Sequence, residues 1–287
     1  MSATRLAAWL SGRRAFITGG DSGLGLALAT ELARDGWTLG LLDREPARLT
    51  AAAAALGAAG ARAVHCFNAD VTDEAAFGAA LGDFVARAGG LELMVNNAGV
   101  AIAGSVEATP VADWRWGLEI NVVGPALGCR LALPVMRRAG RGLIINIASA
   151  AAFAAAPQMA AYNASKAAVV ALTETLAAEL GGSGVRALVA MPGFIQTRLL
   201  ETMRAPAAEA AAARRVMGAS RYSAERAATE ILAAAAHGRL YAVLPGSYAA
   251  LWRLKRLLPR LFVRLLSGAR LRAAFGSQPG GASTERT

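Results

Sequence analysis

The sequence predicts an α/β fold: a parallel β-sheet covered by helices on both faces. Three observations carry this expectation. Short apolar runs alternate with helical stretches along most of the chain. Those runs are apolar throughout rather than at every second residue, the pattern of strands buried on both sides. Hydrophobic residues make up 55% of the chain, largely as alanine, the strongest helix former, which suits helices packed as outer layers.

The strands are predicted at 14–18, 38–42, 63–67, 91–95, 143–147, 185–190 and 240–244. Helices are predicted over 24–35, from the second strand's end through Ala59, and over 73–88, 110–138, 161–180 and 224–236. This alternation describes a doubly wound, Rossmann-type sheet flanked by helices, occupying residues 1–248. A basic amphipathic helical tail is expected over 249–275. Residues 276–287, rich in Gly, Ser, Pro and Thr, are expected to be disordered.

Composition narrows the function classes. Cys66 and Cys129 lack metal-binding or redox-motif spacing and read as free thiols, and His65 and His237 belong to no ligand cluster, so no metal site is expected. No secretory signal is read at the N-terminus, and no run reaches about 18 uninterrupted apolar residues, so a cytoplasmic protein is expected. Seven cations stand in 251–272 with no acid among them, which accounts for most of the net charge of +10. The rest of the chain is nearly neutral. No nucleic-acid-reading motif is present, and nucleic acid is not an expected partner.

After the first strand comes Thr18-Gly19-Gly20-Asp21-Ser22-Gly23-Leu24-Gly25. Gly19 permits a tight turn off the strand. Gly23 and Gly25 allow backbone N–H groups to approach a diphosphate at a helix N-terminus. The second strand ends at Asp43-Arg44. An acid there accepts hydrogen bonds from an adenosine 2′-hydroxyl and repels a 2′-phosphate, which favours NAD. Arg44 pulls the other way, because a guanidinium grips phosphate, and Arg13 and Arg14 add to that pull; NADP stays open.

Further motifs follow: Asn96-Asn97-Ala98-Gly99, then Asn121, Ser149, Tyr162-Asn163-Ala164-Ser165-Lys166, and Pro192-Gly193-Phe194-Ile195-Gln196-Thr197. In this order and spacing the chain resembles a short-chain dehydrogenase/reductase from about residue 12 to 246. The resemblance implies a catalytic set of Asn121, Ser149, Tyr162 and Lys166. Tyr162 and Lys166 are four apart and share a helix face. A nearby ammonium is expected to lower the phenol's pKa. Tyr162 would act as general acid or base, Ser149 would hold the substrate oxygen, and Asn121 would hold a water linking Lys166 to solvent. Lys166 would also bond the nicotinamide ribose. The family pattern further implies cofactor contacts from Asp21, Ser22, Leu24, Asp70, Val71, Asn97, Ala98, Gly99, Pro192, Gly193, Ile195 and Thr197.

The resemblance bounds the substrate by Ala150, Ala151, Phe153, Ala156, Met159 and Phe194, with a mobile segment near 198–222. None of the six is charged, so a neutral, lipophilic ketone or alcohol is expected, since a buried carboxylate there would lack a partner. Two alternatives stay open. One is reduction of a 3-ketoacyl group on an acidic carrier, docked by Arg137, Arg138 and Arg141. The other is a non-catalytic, NAD(H)-binding regulatory protein. Resemblance also implies a homodimer or homotetramer built on the 110–138 and 161–180 helices. In the tail, Arg253, Arg256, Arg260 and Arg264 share one helical face and Leu251, Leu254, Leu258, Leu261, Phe262 and Leu265 the other. That pattern suits an anionic membrane surface, with an enzyme peripheral to the inner face. The rival reading has the apolar face covering the cleft or a subunit interface.

Overall fold

Seven strands hydrogen-bond into a single sheet in the order β3-β2-β1-β4-β5-β6-β7, all parallel. They are β1 (Arg14–Thr18), β2 (Thr38–Asp43), β3 (Ala63–Asn68), β4 (Leu93–Asn96), β5 (Gly142–Ile147), β6 (Val185–Pro192) and β7 (Tyr241–Leu244). The computed structural model describes residues 6, 8–10 and 12–266. Its helices are α1 (Gly23–Ala33), α2 (Pro46–Ala58), α3 (Glu74–Ala88), α4 (Val111–Leu118), α5 (Gly124–Arg138), α6 (Ala151–Ala154), α7 (Ala160–Glu179), α8 (Ala207–Gly218), α9 (Ala224–Ala236), α10 (Gly246–Leu257) and α11 (Pro259–Leu266).

Successive side chains of a strand point to opposite faces, and β1 illustrates why both faces are apolar. Ile17 packs with Leu28, Leu32, Ile231 and Leu232 on one side. Phe16 packs with Phe77, Phe84, Met94 and Ile144 on the other. Phe16 is fully buried and meets Phe84 edge-on at 5.5 Å. Burying such a ring contributes about 2–3 kcal/mol. Gly40 on the neighbouring strand makes room for it, since a Cβ there would lie 2.5 Å from the Phe16 ring.

The long helix predicted over 110–138 is continuous but changes pitch. A π-turn at Glu119–Val123 separates α4 from α5. By length and composition the stretch Val111–Arg138 is apolar enough to cross a membrane. Its residues Gly128, Cys129, Ala132 and Met136 are instead buried against the sheet. A Cβ on Gly128 would lie 1.9 Å from Asn96 Oδ1, so the helix axis approaches β4 as closely as backbone allows.

Two expectations about charge are corrected by strand direction. Arg13 and Arg14 precede β1, whereas the glycine loop follows it. Arg14 donates its backbone N–H and Nε to the buried Glu92 carboxylate, at 3.1 and 2.7 Å, and forms an ion pair with it. Arg13 lies 3.8 Å from Asp35. Both stand at the sheet's amino edge and cannot reach a 2′-phosphate at the other. Arg137, Arg138 and Arg141 likewise precede β5, while Ser149 follows it. Six extended residues span about 20 Å, so these cations do not flank the site, and the carrier-docking expectation loses its surface.

Pro259 opens a separate helix rather than kinking one. The tail packs onto the sheet domain through Trp252, 5.0 Å from the Tyr241 ring, and through the buried Phe262. Arg270, Arg272 and the terminal segment expected to be disordered lie outside the described residues.

Candidate active site

The carboxyl ends of β1, β2, β4, β5 and β6 open onto one cavity of about 480 Å³. At the end of β1 the chain turns through Gly19 and Gly23, both in the left-handed region at φ 63° and 52°. A Cβ on Gly25 would lie 2.0 Å from the Gly19 carbonyl oxygen. No side chain fits there, and Gly25 packs the loop from beneath instead of lining the cavity. The Asn97 side chain donates to the Thr18 and Gly19 carbonyls at 3.0 and 2.9 Å, so it braces the loop and only its remaining surface faces the cavity. Ser22 extends no side-chain cap to α1, and the first turn carries no acid. A helix start with uncapped donors beside a side-chain-free cradle fits the diphosphate of a dinucleotide.

The second end of the cavity is acidic and braced. Asp43 closes β2 and accepts the Arg44 N–H at 2.7 Å. Burial pushes its carboxyl up to about 6; the Arg44 amide opposes the shift and the neighbouring Asp21 charge adds to it. Arg44 lies 3.5 Å from Asp70, which also accepts from the Thr72 N–H and hydroxyl. Arg48 donates to the buried Asp21 carboxylate at 3.0 Å. Sequence reasoning missed Arg48. Its only signal was a second arginine one helical turn beyond Arg44.

Chemistry converges at the end of β5. Ser149 lines the cavity together with the buried Tyr162, and its Oγ accepts the Ala151 N–H at 3.1 Å. Lys166 stands one turn beyond Tyr162 on α7, with Nζ 5.8 Å from the ring centroid and donating to the Ile147 carbonyl at 3.1 Å. The expectation of a lowered phenol pKa is not met. Burial pushes Tyr162 up to about 12, against the lowering effect of the Ser149 hydroxyl, and pulls the Lys166 ammonium down to about 8. In a dry site each group favours its neutral form.

Asn121 also departs from expectation. It is fully buried in the π-turn and does not line the cavity. Its Oδ1 accepts the Val100 N–H at 2.8 Å, and its Nδ2 donates to the Val100 carbonyl and Ser165 Oγ at 2.9 and 3.0 Å. The amide thus ties the strand β4 loop to α7 rather than presenting donors to water.

At the substrate end Ala150, Ala151, Ala156, Met159 and Phe194 line the cavity as expected. Phe153 does not. The short α6 ends at Ala155 with φ 49°, and Phe153 turns into a core with Val169, Val189 and Met191. The remaining wall comes from the segment read as mobile and from the tail, for which covering the cleft was one of the open readings: Leu199, Leu200, Ala212, Val216 and Met217 at or near α8, and Tyr248, Leu251 and Leu266 from α10 and α11. Glu201 and Glu209 add carboxylates at this end; Glu201 is exposed and paired with Arg198 at 2.7 Å. Arg204 fastens the segment before α8. Its guanidinium bonds Asp113 at 2.8 Å and stacks 3.9 Å over Trp116, while its backbone bridges Ile102.

Comparison with known proteins agrees with this geometry. A family model described as short chain dehydrogenase matches residues 13–208. The 2-(R)-hydroxypropyl-CoM dehydrogenase of Xanthobacter autotrophicus is 38% identical over 192 residues, 66% of this chain and 77% of that protein. D-threitol dehydrogenase of Mycolicibacterium smegmatis is 40% identical over 191 residues, 66% and 73% of the two chains. The 3-alpha-(or 20-beta)-hydroxysteroid dehydrogenase of Mycobacterium bovis is 37% identical over 195 residues, 67% and 72%. The crystal structure of a short chain dehydrogenase/reductase from Burkholderia phymatum in complex with NAD superimposes with a TM-score of 0.82 at 32% identity, covering 88% of this chain and 95% of that one.

The buried lysine makes a stability prediction. Its native pKa of about 8 lies below the ordinary lysine value of 10.5, so the unfolded chain binds the extra proton between those limits. Stability therefore rises with pH across that window. From pH 7 to 9.5 the contribution is about 2 kcal/mol. Urea unfolding of wild type and Lys166→Met at both pH values should show a gain in the wild type that the variant lacks; equal pH dependence would contradict a buried, desolvated ammonium.

Proposed function

The chain belongs to the short-chain dehydrogenase/reductase family, and from that premise we propose an NAD-dependent oxidoreductase that interconverts a neutral, lipophilic secondary alcohol and its ketone. One observation carries this reading. Ser149, Tyr162 and Lys166 meet on a cavity continuous with the glycine cradle. A bound nicotinamide cofactor supplies or accepts the hydride.

The chain's own residues manage the oxygen and its proton. Ser149 holds the substrate oxygen beside the Tyr162 phenol, which lines the same cavity. Tyr162 gives its proton to the forming alkoxide in reduction and removes it in oxidation. A phenol held near 12 keeps its proton at neutral pH and remains able to donate to a stronger base. Lys166, anchored on the Ile147 carbonyl, brings a cation close enough to favour the phenolate when oxidation requires it. It would also donate to the nicotinamide ribose hydroxyls. Because the Asn121 amide is committed, we place the proton-relay water on the backbone of the π-turn, where i→i+5 bonding displaces a carbonyl from the regular ladder.

Asp43 and the Arg44–Asp70 and Arg48–Asp21 pairs support NAD over NADP. The nearby arginines already have carboxylate partners, and the free edge of the pocket is acidic. Ile195 and Thr197 would meet the carboxamide. Alanines, Met159, Met217 and Leu266 support a lipophilic substrate. The exposed Leu118 and Val123 on the α4–α5 helix support a dimer or tetramer formed there. We place the enzyme in the cytoplasm.

Tyr162→Phe keeps the ring and removes the proton carrier. Turnover of a panel of secondary alcohols and ketones should fall by about 10²–10⁴-fold or more, while NADH binding by fluorescence stays within about twofold. Wild-type rates in the variant would refute the assigned role.

Wild type should use NAD(H) in preference to NADP(H), and Asp43→Ala should raise kcat/KM with NADPH by about tenfold or more as the carboxylate that repels a 2′-phosphate is removed. Equal or better wild-type efficiency with NADPH would reverse the assignment.

A further inference from the structure

The two C-terminal helices present different chemistry on their two sides. Inward, Tyr248, Leu251 and Leu266 wall the cavity, and Phe262 is 1% exposed. Outward, Leu257, Leu258, Leu261, Val263 and Leu265 are 78, 50, 45, 56 and 55% exposed. Arg253, Arg256, Arg260 and Arg264 are exposed among them, and residues 245–266 contain no acid. On α11, with Phe262 marking the inward direction, helical periodicity puts Arg260 and Arg264 on the far side and Leu261 and Leu265 along one flank. The apolar face is therefore neither wholly free nor wholly covered.

Five large apolar side chains exposed within nine residues form a patch of the kind that marks an interaction site. A second copy meeting this patch about a twofold axis would set cation against cation. The surface that suits both components carries negative charge above hydrocarbon. Arginine stems can extend to phosphate headgroups while the flanking leucines enter the acyl boundary.

We propose that the outer surface of α10–α11 docks on a bilayer containing anionic lipids, and that the cavity these helices wall receives its lipophilic substrate from that bilayer. Docking is independent of the reaction; delivery of substrate rests on the oxidoreductase reading. The binding is electrostatic and shallow, hence reversible and sensitive to salt.

Sedimentation of the full chain with vesicles tests docking without turnover. The protein should pellet with vesicles of phosphatidylcholine and phosphatidylglycerol at low salt, remain in solution with phosphatidylcholine alone, and release at high salt. Arg260→Gln with Arg264→Gln should weaken partitioning about 25-fold, about fivefold per cation. Leu261→Ser with Leu265→Ser should weaken it at unchanged charge. All four positions are exposed and lie outside the cavity wall, so turnover of a small water-soluble ketone should not change. The proposal is overturned if the wild type stays in the supernatant at low salt, if neither double variant weakens binding, or if the leucine variant instead abolishes a concentration-dependent oligomer. Preference for an acidic polypeptide such as polyglutamate over the anionic vesicles would also overturn it. Vesicle binding by a protein that turns over no alcohol or ketone would sustain docking while refuting the oxidoreductase reading.

Discussion

A parallel strand pair cannot be joined by a hairpin, so each strand returns through a crossover and delivers its last residue to the same edge of the sheet. In this chain that constraint places Thr18, Asp43, Asn96, Ile147 and Pro192 along one rim. The strand order reverses direction between β1 and β4, and the helices that follow them depart to opposite faces, leaving a crevice there. The glycine loop, the Asn97–Gly99 turn, Ser149 and the Ile195–Thr197 segment each follow closely on the end of a strand. None of them reaches the cavity on its own account. The same constraint explains which cations do not matter: those before a strand sit at the far edge, paired with Glu92 or Asp35 or bonded to backbone, as Arg141 is to the Trp9 carbonyl.

A rim formed this way is dry, and dryness has consequences for chemistry. Asn96 donates to Asn146 at 2.7 Å, and Asn146 to Thr173 at 3.0 Å, beneath the catalytic end of β5. This buried network links β4, β5 and α7 and fixes the spacing of Ser149 and Tyr162. Among the described residues Asn96 Oδ1 has no partner, a cost the close approach of Gly128 leaves in place. The same burial raises the Tyr162 pKa and lowers that of Lys166. On the proposed mechanism, proton transfer would then be set by contacts made with substrate and cofactor, not by a phenol already ionised.

Much of this was legible in the sequence, for physical reasons that differ by element. The inner strands were found to within a residue or two, because burial on both faces leaves no other pattern; the edge strands β3 and β7, less buried, were found from their place in the alternation. Tyr162 and Lys166 were legible through the family resemblance, and helical spacing explains why they share one face. Phe153 was not, since one left-handed residue at Ala155 decides whether it faces cavity or core. The role of Asn121 was misjudged because a π-turn, invisible in composition, buries its amide against Val100. The segment holding helix α8 was read as mobile, and for the tail covering the cleft was one of two open readings; both help wall the cavity, and only tertiary contact shows what those helices cover. The positions of Arg14 and Arg137 were misread because nearness in sequence to a motif is cancelled by the length of an intervening strand.

The central claim is that this rim positions a carbonyl carbon for hydride transfer and its oxygen for a proton from Tyr162. Reduction of a lipophilic ketone with NADH deuterated at the transferring carbon, followed by mass spectrometry of the alcohol, tests it most directly. The account predicts one deuterium on the carbinol carbon from labelled NADH, and none at that carbon when unlabelled NADH is used in deuterated water. Deuterium entering that carbon from solvent, or no alcohol from any ketone with either NADH or NADPH, would contradict it.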